Sequence, residues 1–451
     1  MKSYQSTTRE KWRMKSIRTI TSALLIMSMF FIGGTATAAE EEGEKAKEDS
    51  FWYAVTHGKP VLDMRARIEV ADLDVKGSDG LKRSEAYTLR TRLGYGTAPW
   101  KGLMAYAEAE NTTAVATNQY NNGTEGTNSS ANGQTVIADP TNTDVNQVFL
   151  NYKNKDWSDT NITLGRQRII LDDARFVGNV GWRQNEQTFD AVRGSTSLGV
   201  DDLNVSYSYM RYVRRIFDNQ SQNGNSNKDW RANNHIVHAD YKGFDAVDIT
   251  AFVYLFEFNK SQGNSSATVG FRLNGDSEIS DDLKLIYEAS YAYQTDYENN
   301  PVNYNTHYVM AQLKLAQSDL GAFGVGYELL GSDDGDARFV TPLATGHKFN
   351  GWADVFLNNG GANGLQDIFA SISPKLPWKL KGSLVYHHFM SDHDSKSIGD
   401  EIDVILKRPI NKYLTVLTKG AYFNGTDNNS LAGFAIPNNV WRWWLQAEVK
   451  F

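Results

Sequence analysis

A two-residue alternation of polar and apolar side chains runs through the chain from about residue 60. The first such segment places apolar residues at even positions and charged residues at the odd ones, namely Asp63, Arg65, Arg67 and Glu69. A period of two is that of a β-strand whose two faces meet different surroundings. Because a dry core cannot accept a row of unpaired charges, the polar face of each strand must meet water or other charges.

The alternation recurs often enough to define a large all-β fold. We count about eighteen such segments, near residues 60–71, 84–96, 102–114, 145–153, 160–169, 187–196, 202–213, 234–242, 246–259, 266–275, 281–294, 304–315, 320–331, 365–373, 380–390, 398–408, 413–423 and 440–451.

The connections between these segments alternate in length. The second, fourth and sixth are short ("GTAPWKG", "NKDWSD", "SLGVD"), and the later even ones stay short. Several odd connections are long and polar, above all Asn111–Asp144, Ile216–Asn233 and Ser332–Gly364. Alternation of short and long connections along the chain is typical of a transmembrane antiparallel β-barrel, with short periplasmic turns and long extracellular loops. We therefore predict a barrel of about eighteen strands over residues 60–451.

Composition fits this fold and excludes several function classes. A mean hydropathy of −0.48 does not argue against a barrel, because only alternate strand residues face lipid. The absence of cysteine excludes disulfides, a lipoprotein anchor and thiolate metal sites. Six basic residues and one acidic residue occupy positions 1–38, so the remainder carries a net charge of −12, which is unsuited to nucleic acid.

The N-terminus has the form of a secretory signal. A basic region precedes the apolar stretch Ile20–Ile32, and Ala36-Thr37-Ala38 offers a cleavage site. We predict a cleaved signal peptide over residues 1–38 and an acidic, flexible segment over 39–59. An uncleaved membrane anchor is the alternative, and either Met1 or Met14 could be the start.

The last segment supports insertion into the outer membrane. Trp441, Trp443 and Trp444 open an amphipathic strand that ends on Phe451. Tryptophan at a strand end suits an interfacial aromatic girdle. The terminal Phe resembles the signal by which outer-membrane barrels are selected for insertion. We predict a multi-pass protein of the Gram-negative outer membrane that contacts its lipid.

Three stretches carry a resemblance to a known family. They are "LGRQRIILDDARFVGNVGWRQNEQTFDAVR" (Leu164–Arg193), "GHKFNGWADVFL" (Gly346–Leu357) followed by "GLQD", and "GDEID" (Gly399–Asp403). The chain closely resembles the alginate-export family of outer-membrane porins over nearly all of its mature length. That resemblance implies passage of alginate through an arginine-rich lumen narrowed by inward-folded loops.

The candidate site residues are arginines with nearby carboxylates. Strand parity points Arg65, Arg67, Arg90 and Arg92 into the lumen, together with Glu108, Glu110, Glu401 and Asp403. The resemblance adds Arg166, Arg168, Arg175 and Arg183. Guanidinium is permanently charged and binds carboxylates bidentately, so an arginine row can select a passing anion. The alternative is that these arginines form internal ion pairs that rigidify the wall.

Two loops are candidates to fold into the lumen. The first, Ile170–Gln187, mixes charged and aromatic residues between Gly178 and Gly181. The second contains His347, Phe349, Trp352 and Asp354. External loops packed on their neighbours are the alternative for both.

These patterns indicate a monomeric porin that passes a hydrophilic anionic solute, such as an alginate-like polysaccharide or oligosaccharide, by passive diffusion without a cofactor. A nutrient-uptake porin for small anions or sugars is the main alternative. The sequence shows no convincing catalytic residues for a barrel enzyme, and about eighteen strands is narrow for a sheath around cytochromes. His387, His388 and His393 form at most a weak metal patch, and we predict no metal. Periplasmic export or synthesis proteins are candidate partners.

Overall fold

The computed structural model describes residues 50–74, 82–116, 120–123, 133–217, 228–357, 359–426, 430–431 and 434–451. The predicted signal peptide 1–38, the choice between Met1 and Met14, and most of the acidic segment lie outside these residues. No helix in the described part of the chain is long and apolar enough to cross a membrane.

Eighteen strands form one antiparallel sheet that closes on itself. In chain order, a short helix α1 (Phe51–Thr56) precedes β1 (Lys59–Asp74), β2 (Ser84–Gly96), β3 (Leu103–Ala114), β4 (Asn142–Asn154), β5 (Thr160–Gln167), β6 (Thr188–Thr196), β7 (Leu203–Arg214), β8 (Asp229–Tyr241), β9 (Asp248–Phe256), β10 (Ser266–Ser280), β11 (Leu283–Asp296), β12 (Asn305–Gln317), β13 (Gly321–Leu330), β14 (Ser332–Asp333), β15 (Ala337–Arg338), β16 (Leu365–Pro374), β17 (Lys381–Met390), β18 (Ser397–Pro409), β19 (Leu414–Gly425), β20 (Ser430–Leu431), β21 (Phe434–Ala435) and β22 (Asn439–Lys450). Two small hairpins, β14–β15 and β20–β21, stand outside the barrel sheet.

The barrel closes where the last strand meets the first. β22 pairs with β1 in a register that sets Arg65 opposite Glu448, and their side chains form an ion pair of 2.9 Å. Arg67 lies opposite Gln446 and donates to its amide oxygen at 2.7 Å. Closure satisfies the edge hydrogen bonds that a bilayer could not replace. The predicted fold class, a closed barrel of about eighteen strands, is confirmed.

The two faces of each strand differ as the alternation predicted. On β4, Val148 and Leu150 point outward and are 50% and 49% exposed, whereas Gln147 and Asn151 point inward and are buried. On β22, Leu445 lies on the outer face and Trp444 is fully buried inside. The outer face therefore presents apolar side chains to lipid, and the inner face presents polar and aromatic side chains to the interior.

The connections separate by length onto two rims. One rim, here the short rim, carries the turns 97–102, 155–159, 197–202, 242–247, 281–282, 318–320, 375–380 and 410–413. The other, the long rim, carries the long connections, including 115–141, 168–187 and 331–364. Tight turns require special backbone geometry: Gly102 has φ +83°, and an added Cβ would lie 2.3 Å from the Lys153 carbonyl.

Two details depart from the sequence prediction. β10 continues to Ser280, beyond the predicted residue 275, because it stays paired with β11 across a short turn. Helix α1 lies in the segment predicted to be flexible. It is held against the short rim, where Ala98 N–H donates to the Ala54 carbonyl at 2.9 Å and the Tyr95 hydroxyl donates to the Val55 carbonyl at 2.7 Å.

A closed barrel with no free edge should resist detergent. We expect the chain lacking residues 1–38, refolded in detergent micelles, to run faster on a semi-native gel unheated than after boiling, because only boiling opens the sheet. Identical mobility before and after boiling, from a protein that stays soluble without detergent, would contradict the barrel.

Candidate functional site

Two long-rim connections fold into the barrel and meet there. They are called here the first inner loop (residues 168–187) and the second inner loop (residues 331–364, of which 358 is not described). Val177 and Leu343 form a parallel bridge between them, and Gly178 N–H donates to the Leu343 carbonyl at 2.8 Å. Thr345 N–H donates to the Ala174 carbonyl at 3.0 Å. The two loops therefore form one joined body inside the lumen.

An aromatic cluster anchors this body to one side of the wall. Phe176 of the first inner loop packs against Phe252 on β9 and Tyr308 on β12, with ring centroids 5.1 Å apart in both cases. Phe339 of the second inner loop contacts both Phe176 and Tyr308. These four rings are buried, so the contact removes a large apolar area from water and holds both loops in place.

On the opposite wall, two arginines of β1 hold the first inner loop through hydrogen bonds to its backbone carbonyls. Arg65 Nη1 donates to the carbonyls of Gly181, Trp182 and Arg183 at 3.1–3.2 Å. Arg67 Nη2 donates to the Trp182 carbonyl at 2.6 Å, and its guanidinium lies 4.4 Å from the Trp182 ring centroid. Both arginines are thus engaged by the loop and point inward, as strand parity predicted.

A cluster of two arginines and three buried carboxylates fixes the end of the first inner loop. Arg92 contacts Glu110 at 2.6 Å and Glu186 at 2.7 Å, and Arg168 also pairs with Glu186. Glu108 accepts hydrogen bonds from neighbouring amide side chains and lies 3.9 Å from Arg168. Burial opposes ionisation of Glu186, but Arg92 and Arg168 outweigh it and hold its pKa below the ordinary value.

All eight predicted arginines have a carboxylate within ion-pair distance. The pairs are Arg65 with Glu448, Arg67 with Asp139, Arg90 with Asp63 and Glu448, Arg92 with Glu110 and Glu186, Arg166 with Asp144 and Asp190, Arg168 with Glu108 and Glu186, Arg175 with Glu328, and Arg183 with Glu69, Asp139 and Asp354. This geometry is that of the rigidifying ion-pair network.

The prediction that Arg166 lines the lumen is wrong. Arg166 lies opposite Val148 and Asp190 in the sheet, and Val148 is half exposed on the outer face. It shares this face with Leu164, two residues earlier on β5. A strand fixes the face of every second residue, so Arg166 points outward and pairs with Asp190 at 2.8 Å.

The predicted carboxylates Glu401 and Asp403 point inward from β18 and hold the second inner loop. Ala353 N–H donates to Glu401 Oε1 at 2.7 Å, and Trp352 N–H donates to Asp403 Oδ2 at 3.0 Å. The approach is close: at Gly351, with φ +82°, an added Cβ would lie 2.4 Å from Glu401 Oε2. The positive φ favours glycine at this position, and a larger residue would push the Glu401 carboxylate away from the loop.

Lys419 on β19 is a central residue that the sequence analysis missed. Its ammonium lies 4.2 Å from the ring centroid of Trp182 and 3.7 Å from that of Trp352, so it contacts both inner loops. It also donates to His347 Nε2 at 2.7 Å. Burial lowers the pKa of His347 to about 3 in spite of the Asp354 carboxylate, so the neutral ring can accept this hydrogen bond. A single lysine on the inner face of a strand forms no sequence motif, so the sequence analysis could not identify it.

The histidines near residue 390 do not point toward a common site. His387 points inward and contacts Asp367 at 2.9 Å, whereas His388 points outward and contacts Asp400 at 2.8 Å. Among the residues that the structure describes, Asp172, His238 and Asp240 are close enough to share an ion. Both ring nitrogens of His238 already face these two carboxylates, at 3.0 Å and 3.3 Å, so the group acts as an ion-pair cluster.

A cavity of about 340 Å³ remains between the inner loops and the long rim. Residues of the two inner loops, residues 136, 138 and 215–217 of two further long-rim connections, and residues of the wall line it. Among the described residues, its charged lining consists of one carboxylate, Asp354, and five arginines, namely Arg175, Arg183, Arg215, Arg338 and Arg442. Arg175 and Arg183 are thus the predicted arginines that border this space, and Arg215, Arg338 and Arg442 are additions that the structure supplies.

The Glu186 cluster allows a sharp test of loop anchoring. Glu186→Gln keeps the side-chain shape but removes the carboxylate shared by Arg92 and Arg168, which leaves two positive charges to the two remaining carboxylates, Glu110 and Glu108, and breaks buried ion pairs at a cost of about 3 kcal/mol. This corresponds to a roughly hundredfold larger population of the state with the first inner loop released. We expect frequent transitions to higher conductance in single-channel recordings. Glu278→Gln, an exposed position on β10, is the matched control. Equal traces from both variants would contradict the anchoring role.

Comparisons with known proteins agree with this geometry. The family model for alginate export matches residues 62–404. No curated protein is significantly similar to the chain in sequence. Similar solved structures include Pseudomonas aeruginosa OccK9 (OpdG), at a TM-score of 0.66 and 11% identity, covering 88% of this chain and 100% of that one. Acinetobacter baumannii OccAB4 has a TM-score of 0.64 and 12% identity, covering 87% of this chain and 98% of that one.

A third solved structure, Pseudomonas aeruginosa OpdK with vanillate, has a TM-score of 0.63 and 13% identity, covering 87% of this chain and 98% of that one. At such identities the structural likeness shows the fold, and the family match carries the assignment. The short rim is accordingly periplasmic and the long rim extracellular. The chain belongs to the alginate-export family and is an outer-membrane porin.

Proposed function

We propose that this porin passes hydrophilic anionic solutes by passive diffusion, with acidic saccharides as the class that the family suggests. The observation that carries the proposal is the described lining of the cavity at the long rim, which contains five arginines and one carboxylate. Three of these arginines also pair with Glu69 or Glu328 behind the lining, whereas Arg338 has no carboxylate partner among the described residues. Guanidinium groups attract carboxylates and replace part of their hydration shell, so a lining of this composition favours anions over cations.

The wall arginines contribute less directly than the sequence analysis proposed. Arg65, Arg67, Arg90, Arg92 and Arg168 are each paired with carboxylates. In this proposal Arg65, Arg67 and Arg92 hold the first inner loop from the wall, and thereby keep the arginines of the cavity in fixed positions. Arg90 pairs with the wall carboxylates Asp63 and Glu448, and Arg168 belongs to the first inner loop itself. Selection of the anion then falls to the cavity residues, Arg175 and Arg183 among the eight first predicted.

A nutrient-uptake role for small anions is the second candidate. It is favoured by the joined inner loops, which occupy the lumen and leave a cavity of about 340 Å³. A small solute fits such a space, whereas a polymer needs the loops to move. Similarity to a channel whose structure contains vanillate, a small aromatic carboxylate, is consistent with this candidate. We further infer that one chain is sufficient to form the pore, because one chain closes the barrel by itself.

The charge preference is measured from the reversal potential of single channels under a KCl gradient in planar bilayers. We expect a potential that follows chloride, and a reduced current after addition of an oligouronate. A neutral oligosaccharide of equal length is the control for simple obstruction. Cation preference, or a current equally reduced by both saccharides, would contradict the proposed anion selectivity.

A further inference from the structure

The cavity at the long rim has the size of a ligand site for a small molecule. Its volume of about 340 Å³ lies at the lower end of the range of roughly 300–1,000 Å³ typical of small-molecule pockets. Both inner loops and described residues of two further long connections line it, so it lies on the extracellular side of the barrel. A polymer threaded through the barrel would not need a pocket bounded by loops in this way.

Most of the arginines around the cavity are held by protein groups. Arg175 pairs with Glu328, Arg183 bridges Glu69 and Asp354, and Arg442 pairs with Glu69. Arg215 lies 3.9 Å from the ring centroid of Trp230. These contacts fix the guanidiniums in place before any ligand arrives, which lowers the entropic cost of binding.

Arg338 differs from this group. Within the described residues it has neither an ion pair nor a side-chain hydrogen bond, and its Nε is buried without a partner. Its backbone is nevertheless well fixed, because Arg338 pairs with Ser332 across the β14–β15 hairpin and the next residue, Phe339, is fully buried. A half-buried guanidinium with no carboxylate is costly, and a bound anion would remove that cost.

We propose that this cavity is a saturable binding site for a small organic anion, a carboxylate on a body no larger than one sugar ring, that enters from the extracellular side. Arg338 binds the carboxylate, and the other arginines of the lining, which protein groups already hold in place, keep the site in a fixed shape. The inference rests on the proposed anion channel and deepens it: the porin captures a small acid from outside instead of conducting anions without binding them.

Binding is tested with D-glucuronate and D-glucose, which share a ring and differ in the carboxylate. We expect glucuronate to block single-channel current in a saturable manner, at lower concentration from the extracellular than from the periplasmic side, and glucose to have no such effect. In Arg338→Gln the half-blocking concentration should rise about tenfold or more, the scale of one charged hydrogen bond. Arg338→Lys, which keeps the charge, should recover part of this loss.

Arg83→Gln is the matched control, because Arg83 lies exposed on the same rim outside the cavity lining and pairs with Glu85. Each variant is checked for folding by its gel mobility before and after boiling. Equal block by glucose and glucuronate, or equal half-blocking concentrations in the Arg338 and Arg83 variants, would overturn the binding site. If the reversal potential still followed chloride in that case, anion selectivity would stand and this inference alone would fail.

Discussion

Pairing of buried charges across the lumen is the interaction on which the rest of this structure depends. A guanidinium held away from water is tolerated only when a carboxylate or carbonyl compensates it. Here the wall supplies Arg65, Arg67 and Arg92, and the first inner loop supplies three carbonyls and Glu186. Removing either side leaves a buried charge, so the wall and the loop stabilise each other's position.

The same pairing fixes the two inner loops inside the barrel. They are joined to each other through Val177 and Leu343, and Lys419 contacts an aromatic ring from each. The cavity that borders the long rim takes its charge from the residues that line it. In the channel that we propose, these few residues set the selectivity, while the barrel strands supply a rigid frame.

Much of the fold could be predicted because the strands and turns of a barrel produce patterns within short stretches of sequence. The period of two located the strands within a few residues, and the parity of connection lengths assigned the rims. The inner loops were found through the family resemblance and their mixture of charges and aromatic residues. Helix α1 was not predicted because it is held by a turn that is distant in the sequence, for example through the hydrogen bond from Ala98 to Ala54.

The site itself was predicted only in part. Arg166 was assigned to the lumen from a motif, and a motif does not state which face of a strand a residue occupies. Lys419 and Arg338 could not be identified, because their roles depend on which loops come to lie against them. Contacts between segments that are distant in the chain produce no periodic pattern of residue types in a sequence. Strand faces are readable from neighbours in the chain, whereas loop docking is not.

The joined inner loops are tested most directly by a disulfide between them, since the chain has no cysteine of its own. Bridge partners lie within disulfide reach, so Val177→Cys with Leu343→Cys should cross-link under mild oxidation in native outer membranes. We expect a faster-migrating denatured chain that reverts on reduction. The pair Val177→Cys with Leu198→Cys, which joins the first inner loop to a periplasmic turn, should stay reduced. Absence of the first cross-link in a folded barrel would contradict the account that the two loops meet inside the lumen.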